Sequence, residues 1–248
     1  MKLQNTVFMA ALLALMTCQA FASPIIKNGD FASGNFPPDW IKKGNAEVQT
    51  SAGLFGSPKP PATHHAILGT GTIGNELLGG NAVPASELES FTKLSGGTLL
   101  EKTRINCPTC LVGNGSAIQT TFNAAAGSQL SFDWNFITST EPKNAPQDIA
   151  FWVLDKNYYF LANTHSALVK STDTNFSYET GYQSISFSIL TSDPHTLSFG
   201  IVDGATGGGS ALALTNVQLN AVPLPAACWL FLMGIVGLFK YSRQFKHA

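Results

Sequence analysis

The chain has 248 residues, of which 12% are charged and 44% hydrophobic, and a formal net charge of −1. Charge is unevenly placed: all fifteen acidic and ten of the fourteen basic residues fall between positions 23 and 221, a net of −5 for that stretch. Its mildly acidic character argues against nucleic acid or anionic headgroups as partners, and about 200 residues suffice for one domain with a substantial core.

The N-terminus reads as a signal peptide over residues 1–22. Lys2 supplies a positive start, Val7 to Met16 an apolar run too short to span a bilayer, and Ala20-Phe21-Ala22 a small-x-small cleavage pattern before Ser23. Cys18 is preceded by Met16 and Thr17, a poor fit to a lipidation signal.

Residues 23–221 form the next unit, an ectodomain. Residues 56–100 are weakly patterned, Pro-rich at 58–61 and Gly-rich at 69–80; they read as long loops with one or two short strands and a short helix near Ser86 to Lys93. Beyond them, period-two alternation dominates. In "SQLSFDWNFIT" Leu130, Phe132, Trp134 and Phe136 share one face, Ser131, Asp133 and Asn135 the other. "IAFWVLD" (149–155) is apolar on both faces, the mark of a strand covered on each side. "DKNYYF" (155–160) reads as a turn into a strand, with one tyrosine facing outward. "QSISFSIL" alternates Ile185, Phe187 and Ile189 with Ser184, Ser186 and Ser188, and "HTLSFGIVD" repeats the pattern with Leu197, Phe199 and Ile201. In "ALALTNVQL" the phase slips by one near Thr215-Asn216, predicting a bulge. Turn-rich segments at 123–127, 141–147 and 203–210 separate these runs, so the ectodomain is predicted to be an all-β antiparallel sandwich.

Catalytic signatures are missing: there is no Gly-x-Ser-x-Gly, His-Glu-x-x-His or phosphate-binding glycine loop. Glu87, Glu89 and Asp133 are the carboxylates a glycosidase reading would use, and make an extracellular polysaccharide-acting hydrolase the alternative to a non-enzymatic protein. Cys107-Pro-Thr-Cys110 lacks a second metal-binding pair and sits in an exported chain, which favours a local disulfide. His64 and His65 point to opposite faces of a strand and cannot easily share an ion; His165 and His195 are isolated. Sugars stack on exposed aromatic rings, so Trp40, Trp152, Tyr158, Tyr159 and Tyr182 are the candidate glycan contacts, with Trp134 expected in the core.

The C-terminal 222–248 follow a tripartite order: Val222-Pro223-Leu224-Pro225-Ala226, an uncharged run to Phe239, and a basic tail of Lys240, Arg243 and Lys246. Fourteen residues from Ala226 to Phe239 span only about 21 Å as a helix, but the Pro-containing start lengthens the segment to a transmembrane helix whose basic end stays cytoplasmic. This order resembles the PEP-CTERM class of sorting signals in its VPLPA-type variant. The resemblance implies an exosortase-type processing enzyme as partner, a transient membrane anchor, and delivery to the cell surface or exopolysaccharide matrix of a Gram-negative bacterium. Cys228, just inside the run, has no assigned role.

A second resemblance covers about two-thirds of the ectodomain. "IIKNGDFASGNFPPDW" looks like the opening strand of galactose-binding-like jelly rolls. The segments "QTTFNAAAGSQLSFDWNFIT", "DIAFWVLD", "TGYQSISFSI" and "ALALTNVQL" look like the successive strands of ectodomains that precede PEP-CTERM tails. It implies a jelly roll of the kind used by carbohydrate-binding modules, hence extracellular polysaccharide as a ligand. Such folds often hold a structural calcium, but Ala32 and Thr215 stand where carboxylate ligands are usual. Asp30, Asp133, Asp148 and Asp203 match no ligand spacing, so no cofactor is expected, and a calcium-dependent adhesin is the third reading.

Overall fold

The computed structural model describes residues 26–50, 54–71, 81–105, 107–141, 147–171, 173–204 and 209–220. The expected signal peptide, the expected sorting motif and transmembrane helix, and Lys240, Arg243 and Lys246 lie outside them.

Thirteen strands and two short helices are described. Every pairing between strands is antiparallel. Sheet A runs in the order β1 (Ile41–Lys43), β5 (Asn114–Asn123), β12 (Pro194–Val202), β7 (Ile149–Leu154), β8 (Asn157–Asn163), with β4 (Val83–Pro84) also against β5. Sheet B runs β2 (Ala46–Gln49), β3 (His65–Gly69), β13 (Ser210–Asn220), β6 (Gln129–Thr138), then β10 (Tyr178–Glu179) and β9 (Val169–Lys170); β11 (Gln183–Ser188) pairs with the first half of β6.

The two sheets face each other across one apolar core, as the alternation dictates. Leu130, Phe132, Trp134 and Phe136 of β6 meet Trp152 of β7 and Leu197, Phe199 and Ile201 of β12. Phe132 sits edge-on to Trp152 and Phe199 at centroid distances of 5.4 and 4.8 Å, a favoured geometry for ring quadrupoles. At Gly200, a Cβ would run into the Phe151 ring, so only glycine lets β12 lie this close under that side chain.

The second apolar face of β7 is covered too. Helices α1 (Ala85–Thr92) and α2 (Thr98–Arg104) and the turn between them lay Leu88, Leu94 and Leu99 over Phe151, Val153, Ala117 and Val202. The expected short helix is α1; α2 lies where loop was expected. Its N-terminus is built by Glu89, which accepts the N–H groups of Gly97 (2.9 Å) and Leu99 (2.7 Å) and so satisfies two otherwise unpaired helix donors. On the outside of sheet B, Phe55 and Phe176 cover Ile67, Ile137, Ala211 and Ala213.

The opening segment also departs from the reading. Residues 26–40 form turns, not an opening strand, because Asn28 (φ 50°) and Phe31 (φ 56°) take left-handed conformations that break an extended run. Ile26, Phe31, Phe36 and Trp40 instead enter the main core. The bulge is where the phase slip placed it: the β13–β6 register shifts between Thr215 and Gln218, with Asn216 at φ 53°.

Candidate functional site

The outer face of sheet B carries a polar patch on three adjacent strands. Register sets Ser184 beside Asp133 and Thr215, Ser186 beside Ser131 and Gln218, and Ser188 beside Gln129 and Asn220. With strands about 4.8 Å apart and side chains repeating every ~6.8 Å along one face, the nine positions cover roughly 10 by 14 Å. Ser184, Ser186, Ser188, Gln129, Gln218 and Asn220 are exposed and Ser131 half-buried. Ser186 Oγ donates to Gln129 Oε1 (3.2 Å), whose Nε2 donates to Ser188 Oγ (2.9 Å). The half of the alternation that points away from the core therefore forms a flat array of hydroxyl and amide groups, donors and acceptors together.

Its single charge is neutralised. Asp133 Oδ1 accepts from Lys59 Nζ (2.7 Å) and Ser184 Oγ (2.5 Å), and Oδ2 from Asn216 Nδ2 (2.7 Å). Burial alone would raise this carboxyl, but the hydrogen bonds from Lys59, Ser184 and Asn216 outweigh it and hold it below its usual range. The bulge at Asn216 makes the third bond, since the extra residue turns its amide onto the outer face. Nearby, Asn135 Nδ2 donates to Glu179 Oε2 (2.7 Å), and His65 Nδ1 lies 2.9 Å from Tyr182 Oη. His65 is fully buried and is held neutral: burial first, then His64, lower its pKa to about 4 against an opposing pull from Asp173.

The aromatic candidates do not converge on this patch. Trp40 (0% exposed) and Trp152 (2%) are core residues with no ring face open to a sugar, and Trp134 is buried as expected. Trp40 Nε1 donates to the carbonyls of Lys27 and Asn28, tying the opening turns to the core. Of the two tyrosines in "DKNYYF", neither stands free. Tyr158 lies under α2 with Lys102 Nζ 5.8 Å from its ring centre, its hydroxyl pKa raised by burial, because α2 covers the face expected to be bare. Tyr159 points between the sheets and stacks on Trp152 at 4.2 Å, half-buried on the edge strand beside Phe187 (5.3 Å). Tyr182 packs with the Phe55–Phe176 cluster, and burial raises its hydroxyl pKa as well.

The carboxylates do not make a catalytic pair either. Glu87 is exposed and paired with Lys43 at 2.7 Å, and Glu89 is consumed by the α2 N-terminus. Both sit on the helix layer over sheet A, whereas Asp133 lies on the outer face of sheet B, across the sandwich. Asp148 is buried at one end of the fold, with Ser210 Oγ 2.5 Å from Oδ2 and the Gly204 N–H 3.1 Å from Oδ1. Burial, reinforced by the neighbouring Asp203 carboxylate, pushes its pKa up to about 8. His195 is a turn-holding residue: its Nδ1 lies 2.6 Å from Asp155, whose other oxygen accepts the Thr196 N–H, which fixes the Asp155–Lys156 hairpin turn.

At the two positions where the jelly-roll resemblance would place carboxylate ligands for calcium, Ala32 and Thr215 stand instead. Asp30 is exposed with Oδ1 accepting the Ala32 N–H, and the Thr215 hydroxyl donates to the His64 carbonyl. Among the described residues no three His, Cys, Asp or Glu side chains are grouped as a metal site. Cys107 and Cys110 are disulfide-bonded (Cα–Cα 5.3 Å) just past α2, where Arg104 Nε donates to the Cys110 carbonyl.

No protein-family model matches the chain, and no curated protein sequence does. Among solved structures, the chain is similar to the carbohydrate-binding module TmCBM61, solved with β-1,4-galactotriose, at 9% identity and a TM-score of 0.41, covering 79% of this chain and 97% of that one. It is also similar to the enzymatically active domain of tailspike protein 4 of bacteriophage CBA120, at 10% identity and a TM-score of 0.37, covering 79% and 21%. Likenesses this distant leave function to be argued from the site itself.

Proposed function

We propose that this is an exported, non-enzymatic protein of the bacterial cell surface or exopolysaccharide matrix, whose sandwich, of jelly-roll type, binds neutral polysaccharide. The observation that carries the binding reading is the uncharged hydroxyl and amide array on β11, β6 and β13. A polyhydroxylated chain offers donors and acceptors at close intervals, and the array answers with both. With Asp133 neutralised by Lys59, and a net of −5 over residues 23–221, neutral chains are favoured over polyuronates. The non-enzymatic reading rests on Glu87, Glu89 and Asp133 each being bound elsewhere. The tail from Val222 to Ala248 supports export and sorting: an exosortase-type enzyme cuts near Val222–Ala226 after a transient membrane stop.

Affinity electrophoresis of the full chain in gels containing neutral galactan, glucan or mannan, with alginate in parallel, tests the binding. At least one neutral polymer is expected to retard the protein. Ser131→Arg or Gln218→Ala is expected to weaken retention about tenfold without moving the melting temperature. Retention by alginate alone, or retention unmoved by both variants, refutes the array as the site, and release of reducing ends from a bound polymer refutes the non-enzymatic reading. Mass spectrometry of the mature protein tests the sorting: an end near Val222–Ala226 is expected, and an intact Ala248 overturns it.

A further inference from the structure

The two flanks of the sandwich are guarded differently. On one, β1 carries Lys42 and Lys43 and β2 carries Glu47. Charges of this kind are how sheets keep other strands from adding to their edges. On the other flank sheet B ends partly in β9, which carries Lys170, and partly in β11; β11 lies beside β8, joined by the Tyr159–Phe187 contact, and neither β8 nor β11 has a charge or a proline. A register shift between Ala150 and Phe151 interrupts the β7–β8 ladder, and such bulges also blunt an edge. β11 has no such device: its six residues pair with β6 in unbroken register. Among the described residues, the backbone of Ser184–Ser188 hydrogen-bonds only to β6, so the far side of β11 presents unused N–H and C=O groups.

The sequence of that edge is symmetric in kind. Ser184-Ile185-Ser186-Phe187-Ser188 has the same polar–apolar order in both directions, polar outward and apolar inward. Residues opposite each other in an antiparallel pair share a face. A two-fold axis at Ser186 therefore sets Ser186 against itself, Ser184 against Ser188, and Ile185 against Phe187, with every side chain meeting its own class. Ile185 and Phe187 pack on the core but are only half-buried, and Leu190, just beyond the strand, is 81% exposed. A second strand along this edge completes their burial. For copies of a chain carrying a net of −5 over residues 23–221, an uncharged edge is also where mutual repulsion is least.

We propose that β11 is a homotypic edge: two copies of this chain pair antiparallel along Ser184–Ser188 about a two-fold axis at Ser186, running sheet B of one copy into sheet B of the other. The serines stay on the outer face, so the polar arrays of the two copies become one continuous face of six strands. Self-pairing does not depend on polysaccharide binding and is tested without it.

Ser186→Cys in the full chain places two thiols at the axis. Under mild oxidation this variant is expected to become mostly covalent dimer, whereas Gln218→Cys, equally outward but two strands inward, and the unsubstituted chain stay at background. Ser186→Lys, which puts like charges together at the axis, is expected to halve the mass measured by sedimentation. The proposal is overturned if Ser186→Cys forms no more dimer than Gln218→Cys, if its thiol is captured by a different protein instead, or if Ser186→Lys leaves the mass unchanged.

Discussion

Asp148→Asn gives the sharpest test of the electrostatics. In the folded chain Asp148 has a pKa of about 8, against about 4 for an unfolded aspartate. Between those values the folded state holds the extra proton, so folding stability falls as pH rises, by up to about 1.4 kcal/mol per pH unit. His65 works in the opposite sense. Its folded pKa is about 4 rather than 6.5, so below pH 6.5 the unfolded state takes up the proton, and stability falls as pH drops. The two slopes oppose each other between pH 4 and 6.5 and leave a plateau; above pH 6.5 only the Asp148 slope remains. From pH 6.5 to 8 the expected loss is about 1–2 kcal/mol, or roughly 3–6 °C in melting temperature for a domain near 200 residues. Asparagine keeps the shape and cannot ionise, so Asp148→Asn is expected to melt at a constant temperature from pH 6.5 to 8. Thermal unfolding followed by circular dichroism across pH 4.5–8.5 reads both curves. Parallel curves for the variant and the parent above pH 6.5 refute the reasoning.

Glu89→Ala leaves the Gly97 and Leu99 N–H groups without their buried acceptor and is expected to cost about 1–3 kcal/mol in denaturant unfolding, more than Glu87→Ala, whose exposed ion pair with Lys43 contributes little. Gly200→Ala drives a methyl group into the Phe151 ring and is expected to destabilise by about 1–3 kcal/mol; pairing it with Phe151→Leu should recover part of that, which a double-mutant cycle measures.

The sandwich was legible wherever polar and apolar residues alternate along a strand. Alternation in β6, β11 and β12 marks the inward residues, and the slip at Thr215-Asn216 marks the bulge, because a period of two allows no other account of a phase change. What alternation does not carry is the identity of the cover. "IAFWVLD" announces that both faces are buried, yet nothing in "TLLEKTR" (98–104) announces the helix that buries one of them; seven residues hold too few turns for a helical period, and Glu89 of the preceding helix supplies its start. The aromatic candidates failed for the same reason. Trp40 and Tyr158 are buried by elements distant in sequence, a condition no local pattern records. The polar array was on view as Ser184, Ser186 and Ser188; only strand register, fixed by the fold, adds Gln218 and Asn220 to it.

Among the described residues, the last two strands are the middle strands of their sheets: β12 lies between β5 and β7, and β13 between β3 and β6. Until residues 194–220 have been synthesised, neither sheet has its centre, and the earlier strands have only hairpin and flank partners. The chain is thus kept from completing its core while still emerging, and the core closes only as its last described strands arrive. Truncation at Gly209 should leave β3 and β6 as two open edges around a missing strand, a species built to aggregate.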